Sequence, residues 1–285
     1  MTLNISKDMK EKCFFKIVIP NYNNGKWLSK CIGSILEQTF QDFVIVVVDD
    51  MSTDDSYIEA QKIRQNHADK IHMIRLSEKG FQSTARNEGW KYPIESKYTI
   101  FMDGDDWFHD KDVLKDVYDF ILANDVDMVI GDFETVGPNG FRRRSNKQIF
   151  DINSSSFSML NGFYCWIRFV KTELVVPFPE KLGCGEDILQ FFLQCDNIQT
   201  YKWMNRIITC HNTMNDGSVM TSGSPKNVIR NICQFDYFSK LLLTLKENKS
   251  KVKNRFIREA IFVEVLRYVP MLLLFIRHLK KEDYV

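Results

Sequence analysis

The stretch Phe43-Val-Ile-Val-Val-Val-Asp49, running on into Asp50 and then Ser52-Thr-Asp54, sets the reading of the whole chain. Five β-branched residues in succession leave no polar position for a wet face. They predict a strand covered on both sides, as in a parallel sheet. Ser52, Thr53 and Asp54 offer N-cap oxygens to the orphan amides of a helix that the pattern carries to about Asn66. Working outward, Lys16-Ile-Val-Ile-Pro20 reads as a buried strand and Asn21 to Gly25 as a turn. Trp27, Leu28, Cys31, Ile32 and Ile35 then recur at helical spacing. Downstream come a strand over 72–76, a helix over 81–91, a strand over 98–102, a helix over 113–123 and a strand over 128–131. Strands alternating with helices predict an α/β fold, a mostly parallel sheet flanked by helices.

After Asp132 the regularity fades. Pro138-Asn-Gly140 marks a turn, and Arg142-Arg-Arg144 reads as a basic patch on a loop. Gly183-Cys-Gly-Glu-Asp187 leads into a helical stretch from Ile188 to Cys195. A loop rich in Ser, Thr, Asn and Gly covers 212–225, and two or more helices follow from about Lys226. The expected organisation is one α/β domain over 1–225 with a C-terminal helical appendage over 226–285.

Composition narrows the class. A chain of 285 residues with 44% apolar and 26% charged side chains is ordinary globular protein and can bury a core without staples. Its seven cysteines are odd in number, scattered and free of any CxxC, which speaks against a disulfide framework or a zinc site and for a reducing cytosol. Met1 to Lys12 is polar, unlike a signal peptide. No run approaches the roughly 18 apolar residues of a membrane span. A cytoplasmic location, with peripheral contact at the inner face of a membrane, is expected. The net charge of +1 hides an asymmetry: from Val219 onward there are 13 Lys/Arg against 6 Asp/Glu, and before it 25 against 31. The basic tail suits an anionic partner such as a membrane surface, although a solvated helical face is the commoner source of such a run.

Chemistry should lie just past strand ends, where ligands of such sheets collect. Phe101-Met-Asp103-Gly-Asp105-Asp106-Trp107 is the strongest such signal. Three carboxylates in four residues repel one another unless a cation sits among them. Gly104 permits a sharp turn, and hard oxygen ligands suit Mn2+ or Mg2+ shared with a substrate diphosphate. The same pattern also fits an Asx-type turn capping a helix after Lys111. Asp49-Asp50 ends a neighbouring strand, where it could bind a ligand or cap a helix. Tyr22 brings a ring that could stack on a base, and Arg86 opens a helical stretch where it could pair with diphosphate oxygens or lie on the surface.

Taken in order, Pro20-x-Tyr22-Asn, Cys31-Ile-x-Ser-Ile35, Gln38-Thr-Phe40, Val48-Asp-Asp50-x-Ser-Thr-Asp54, Ala85-Arg-Asn87 and Met102-Asp-Gly-Asp-Asp106 resemble family 2 glycosyltransferases. The resemblance covers about Phe15 to Trp107 and resumes at Gly185-Glu-Asp187; nothing beyond about Pro225 has a counterpart. It implies the GT-A (Rossmann-like) fold and inverting transfer from a nucleotide-diphosphate sugar, a UDP-sugar in first place. It further implies donor contacts from Pro20, Tyr22, Asp50, Arg86, Asp103 and Gly104, with Asp105 as a direct metal ligand. Asp187 would be the catalytic base, with Glu186 in support. His211 would join the metal or diphosphate, or be structural.

A carboxylate base is what a single displacement at the anomeric carbon asks for, because the attacking hydroxyl must lose its proton. A nucleotidyltransferase would carry a glycine- and lysine-rich loop after the first strand, which Asn21-Tyr-Asn-Asn-Gly-Lys26 is not. An inactive sugar-nucleotide-binding relative is opposed by the intact acidic positions. A surface or lipid-linked glycan ranks first as acceptor, ahead of hydroxylated bases of DNA, which Arg142–Arg144 and the basic tail would also suit.

Overall fold

The computed structural model describes residues 12–140, 142–144, 164–180, 186–195 and 197–214. The expected helices from Lys226, the basic tail and the loop beyond Met214 lie outside the described residues.

Four parallel strands form the first half of the sheet. They are β1 (Lys12–Asn21), β2 (Phe43–Asp49), β3 (Ile71–Arg75) and β4 (Glu95–Phe101), in the spatial order β3-β2-β1-β4. Their connections are α1 (Gly25–Leu36), α2 (Ser56–Asn66) and α3 (Phe81–Lys91). Chain order reverses at β1, which pairs with β2 on one side and β4 on the other, so a switch-point crevice opens at its carboxyl end. The second half is mixed. The short β5 (Trp107–Phe108), α4 (Val113–Asn124), β6 (Met128–Val136), β7 (Arg142–Arg144), β8 (Arg168–Lys171), α5 (Glu186–Cys195) and β9 (Tyr201–Asn212) complete it. The sheet continues β4-β8-β6-β9-β5, with β7 beside the far end of β6.

Period-two alternation sorts the core into two layers. Phe15, Ile17 and Ile19 of β1, with Ile45 and Val47 of β2, face Leu28, Ile32 and Ile35 of α1 and Leu114 and Val117 of α4. Val46 and Val48 turn the other way, toward Ala85 of α3. Gly89 lets α3 lie close: a Cβ there would sit 2.3 Å from Val18 Cγ1. A buried lysine holds the end of the same helix, because Lys16 Nζ donates to the carbonyls of Trp90 and Tyr92 at 3.1 and 3.0 Å. Burial lowers its pKa.

Two expectations need correction. Arg142–Arg144 is not a loop but strand β7, antiparallel to β6, its ladder set by Thr135 opposite Arg143. The N-cap position of α2 is Asp55, and its side chain makes no capping bond. Asp54 instead accepts from the Ser56 amide at 3.0 Å and from the Gly25 amide at 2.9 Å, tying two helix starts together. The sharp turn expected at Gly104 is present, closed by the Asp106 amide on the Asp103 carbonyl at 3.0 Å, and it forms without a left-handed backbone. Glycine is required there by close approach, since a Cβ would lie 3.0 Å from Asn24 Nδ2 and 3.2 Å from the Pro20 carbonyl. Among the described residues no helix is long and apolar enough to cross a membrane, and the five described cysteines are buried and form no disulfide with one another.

Candidate active site

The carboxyl ends of β1, β2 and β4 bring Tyr22, Asp50 and Asp103–Asp106 to one edge, as parallel strands must. Asn21 pins the first two ends together: its Nδ2 donates to Asp49 Oδ1 at 2.9 Å, Ser52 Oγ at 3.1 Å and Ser56 Oγ at 3.0 Å.

Asp50 is buried and anchors the start of α3. It accepts from the Gly80 amide at 2.6 Å and the Phe81 amide at 3.0 Å, and Lys79 Nζ lies 3.2 Å away. The same ammonium sits over the Tyr22 ring. Met51 and Phe81 hold φ of +59° and +63°, a left-handed backbone that side chains of this size rarely adopt. Together with Tyr22 they bracket Asp50 with exposed apolar groups, the largest being Phe81 at 52% exposure. Strain and exposed rings around a fixed carboxylate are features of a binding edge, not of a core.

Arg86 is deeper than a surface arginine. Only 2% exposed, it donates from Nη2 to Asp103 Oδ1 at 2.6 Å and from Nη1 to Glu186 Oε1 at 2.5 Å. It therefore joins the acidic turn to the first residue of α5. The diphosphate role expected of it competes with two protein carboxylates that already hold its guanidinium.

Asp105 and Asp103 are half-buried, whereas Asp106 is buried and ties the turn to β9. It accepts from the Asn212 amide at 2.8 Å, and its Oδ2 lies 3.2 Å from His211 Nδ1. Burial pushes the Asp106 carboxyl up, the His211 contact opposes this, and Asp105 and Asp103 push it further. His211 is raised too: burial alone would lower it, but the bond and charge of Asp106 prevail, aided by Asp103 and Asp105. The contact occupies Nδ1 and leaves Nε2 as the nitrogen a ligand would meet, while the ring stacks on Trp166 at 5.0 Å.

Asp187 follows Glu186 in the first turn of α5 and is half-buried. Its carboxyl is pushed up to about 7, first by burial and next by the charge of Glu186, with Arg86 and Arg168 opposing. A carboxylate poised near neutrality can take a proton from a hydroxyl. Lys79, Asn21, Asp106, Trp166 and Arg168 were not singled out as site residues from the sequence. Only Asp106 carried a signal there, its place in the acidic run.

A mixed sheet with an acidic turn at its switch point is the architecture of a GT-A type domain. The chain belongs to glycosyl transferase family 2, whose model matches residues 16–182. It is 30% identical over 138 residues to the poly(ribitol-phosphate) β-N-acetylglucosaminyltransferase TarP of Staphylococcus aureus, covering 47% of this chain and 40% of that protein. It is 28% identical over 256 residues to the minor teichoic acid biosynthesis protein GgaB of Bacillus subtilis, covering 84% of this chain and 27% of that protein. The chain therefore spans less than half the length of these relatives. In structure it resembles S. aureus TarS 1–349 in complex with UDP-GlcNAc, with TM-score 0.65, 21% identity and coverage of 89% and 71% of the two chains. The mannosyltransferase PcManGT of Pyrobaculum calidifontis, in complex with GDP-Man and Mn2+, matches at TM-score 0.57 and 13% identity, covering 96% and 81%. The chain is thus a glycosyl transferase family 2 domain, similar to proteins named for teichoic acid and poly(ribitol-phosphate) synthesis.

Proposed function

We propose that the chain transfers a sugar, with inversion, from a UDP-linked donor to a hydroxyl of a surface glycopolymer, and that Asp187 is the base. The observation that carries this reading is the raised carboxyl of Asp187 on the helix whose first residue is bound through Arg86 to the acidic turn. Base and donor turn are thereby held at a fixed separation, and pre-organisation of this kind converts binding energy into rate. Tyr22 and Asp50 receive the base, with Pro20 and Gly104 forming the floor of close backbone contact beneath it. Asp103 faces the ribose side, and Arg86 positions Asp103 and Glu186 while lending its charge to the diphosphate region. The UDP preference and the polymer acceptor draw support from the relatives, TarS having been solved with UDP-GlcNAc and TarP being named for poly(ribitol-phosphate).

Mn2+ or Mg2+ fits this site only as a shared guest. Among the described residues no three His, Cys, Asp or Glu side chains are arranged to hold a metal alone. Asp105 and His211 Nε2 supply one hard oxygen and one imidazole nitrogen, so donor oxygens would complete the shell. Asp106 and Cys31 are raised first by burial and then by the neighbouring carboxylates of the turn, and that mutual repulsion favours a cation there. The ion's contribution would be to neutralise charge on the departing diphosphate. A panel of radiolabelled nucleotide sugars, incubated with the chain, Mn2+ and either bacterial cell-wall polymer or hydroxylated DNA, tests the reading. Label from UDP-GlcNAc appearing in the polymer is expected. Label in the DNA alone would replace the acceptor.

A further inference from the structure

Arg86 and Lys79 both flank the nucleotide edge, and their partners differ. Arg86 is 2% exposed and engaged by Asp103 and Glu186 at 2.6 and 2.5 Å. Lys79 is exposed, and its ammonium stands in the corner between Asp50 and Tyr22. Its Nζ lies 3.2 Å from Asp50 Oδ2, 3.3 Å from the Asp50 carbonyl and directly over the Tyr22 ring. Both oxygen contacts are long for charge-assisted bonds, which close to about 2.7–2.9 Å. The ammonium is therefore loosely tethered. A base arriving on the Tyr22 ring can take its place over the ring face and move it to the base's own edge, with Asp50 still beside it.

Asp50 and Lys79 then form an acceptor and a donor side by side. A carboxylate has about four acceptor sites. The Gly80 and Phe81 amides and the Lys79 ammonium use three of them on Asp50, so one N–H of a ligand can still be accepted. The complement of such a pair is an N–H next to a C=O, the edge that uracil presents with N3–H and O4 and guanine with N1–H and O6. Cytosine and adenine reverse the order, with an accepting ring nitrogen next to a donating amino group. In the same pose that nitrogen would face the Asp50 carboxylate and the amino group would face the ammonium. Both protein groups would be repelled and left without a partner, and rejection of this kind discriminates more strongly than an added attraction. Reading a base by its hydrogen-bonding edge also needs a ring face for it to lie on, which Tyr22 supplies at 45% exposure. Lys79 directly precedes the two amides that hold Asp50, so one short segment sets both donor and acceptor.

We propose that Lys79 is a specificity-determining residue of the donor site: with Asp50 it reads the N–H/C=O edge of the base, admitting uracil or guanine and turning away cytosine and adenine. This rests on the nucleotide-sugar reading above. The test is calorimetric titration of the full chain and its Lys79→Met and Lys79→Arg variants, at fixed Mn2+, with UDP, GDP, CDP, ADP and 4-thio-UDP. Wild type is expected to bind UDP more tightly than CDP, and GDP more tightly than ADP. Lys79→Met should weaken UDP and GDP about tenfold, the loss of one hydrogen bond to a charged group, and leave CDP and ADP nearly unchanged. Lys79→Arg, which keeps a donor, should retain most of the preference. Sulfur is a poor acceptor, so 4-thio-UDP should bind wild type more weakly than UDP does, yet match UDP on Lys79→Met, where the donor is already gone. A merely structural lysine would weaken every nucleotide alike. An equal loss for all of them in Lys79→Met, an unchanged UDP preference over CDP, or 4-thio-UDP binding wild type as tightly as UDP overturns the assignment. Wild-type chain that binds none of these nucleotides is a separate result, and it overturns the nucleotide-sugar reading itself.

Discussion

Arg86 Nη1 lies 2.5 Å from Glu186 Oε1, a contact across 100 residues of chain that joins the parallel half of the sheet to the helix bearing the proposed base. Its other nitrogen serves Asp103 at 2.6 Å, so one buried guanidinium sets the spacing of two functional segments. Removing it leaves Glu186 charged and enclosed. Loss of one partner of a buried pair costs about 3–5 kcal/mol. Arg86→Ala should accordingly lose about 3 kcal/mol in urea unfolding. Arg86→Lys should recover only part, because one ammonium cannot span both carboxylates. A cost below about 1 kcal/mol for Arg86→Ala would remove the bridge from the argument.

Asp187→Asn separates chemistry from binding. A base acts in the transition state, so UDP affinity by calorimetry should stay near wild type while transfer falls roughly 10²-fold or more. Transfer within a few-fold of wild type would move the role to Glu186.

The raised Asp187 carboxyl has two pH signatures of known sign. Transfer by the wild type should rise with pH through about 7, as the carboxylate forms. Stability should move the opposite way. The folded group keeps its proton up to about 7, whereas the unfolded one loses it near the ordinary 3.8, so the stabilisation is complete below 3.8 and declines as pH climbs to about 7. Asp187→Asn does not titrate, and its melting temperature should gain on the wild type across that window. Parallel melting curves at every pH would contradict this account of the poised carboxyl.

Asp105→Asn tests the metal. With one of two protein ligands weakened, the gain in UDP affinity on adding Mn2+ should largely vanish, while UDP binding in EDTA should match wild type. If the Mn2+ gain survives intact, the ion is held elsewhere.

Gly89→Ala asks whether packing sets the site. The new methyl would press on Val18 and Val48, at 2.3 and 3.0 Å, and overpacking of this kind costs about 1–3 kcal/mol. Since α3 carries Arg86 and starts on Asp50, displacing it should also weaken UDP binding. Destabilisation with unchanged UDP affinity would show that α3 yields without disturbing the site.

By itself the sequence determined the parallel half of the sheet. Five β-branched residues from Val44 to Val48 have no comfortable home except a doubly covered strand, and helical spacing from Phe81 to Lys91 is a local property of the chain. Once strands and helices alternate, the carboxyl ends are bound to share one edge, and Tyr22, Asp50 and Asp103–Asp106 come together without further information. Tertiary structure alone decided what those residues touch. Nothing near Arg86 announces Glu186, nothing near Asp106 announces His211, and the triple arginine gives no local sign that it will extend β6. Such contacts depend on burial and on partners a hundred residues away. Periodicity records only which face of an element is apolar, whereas the choice of a charged partner is settled when desolvation makes an unpaired charge too costly to leave alone.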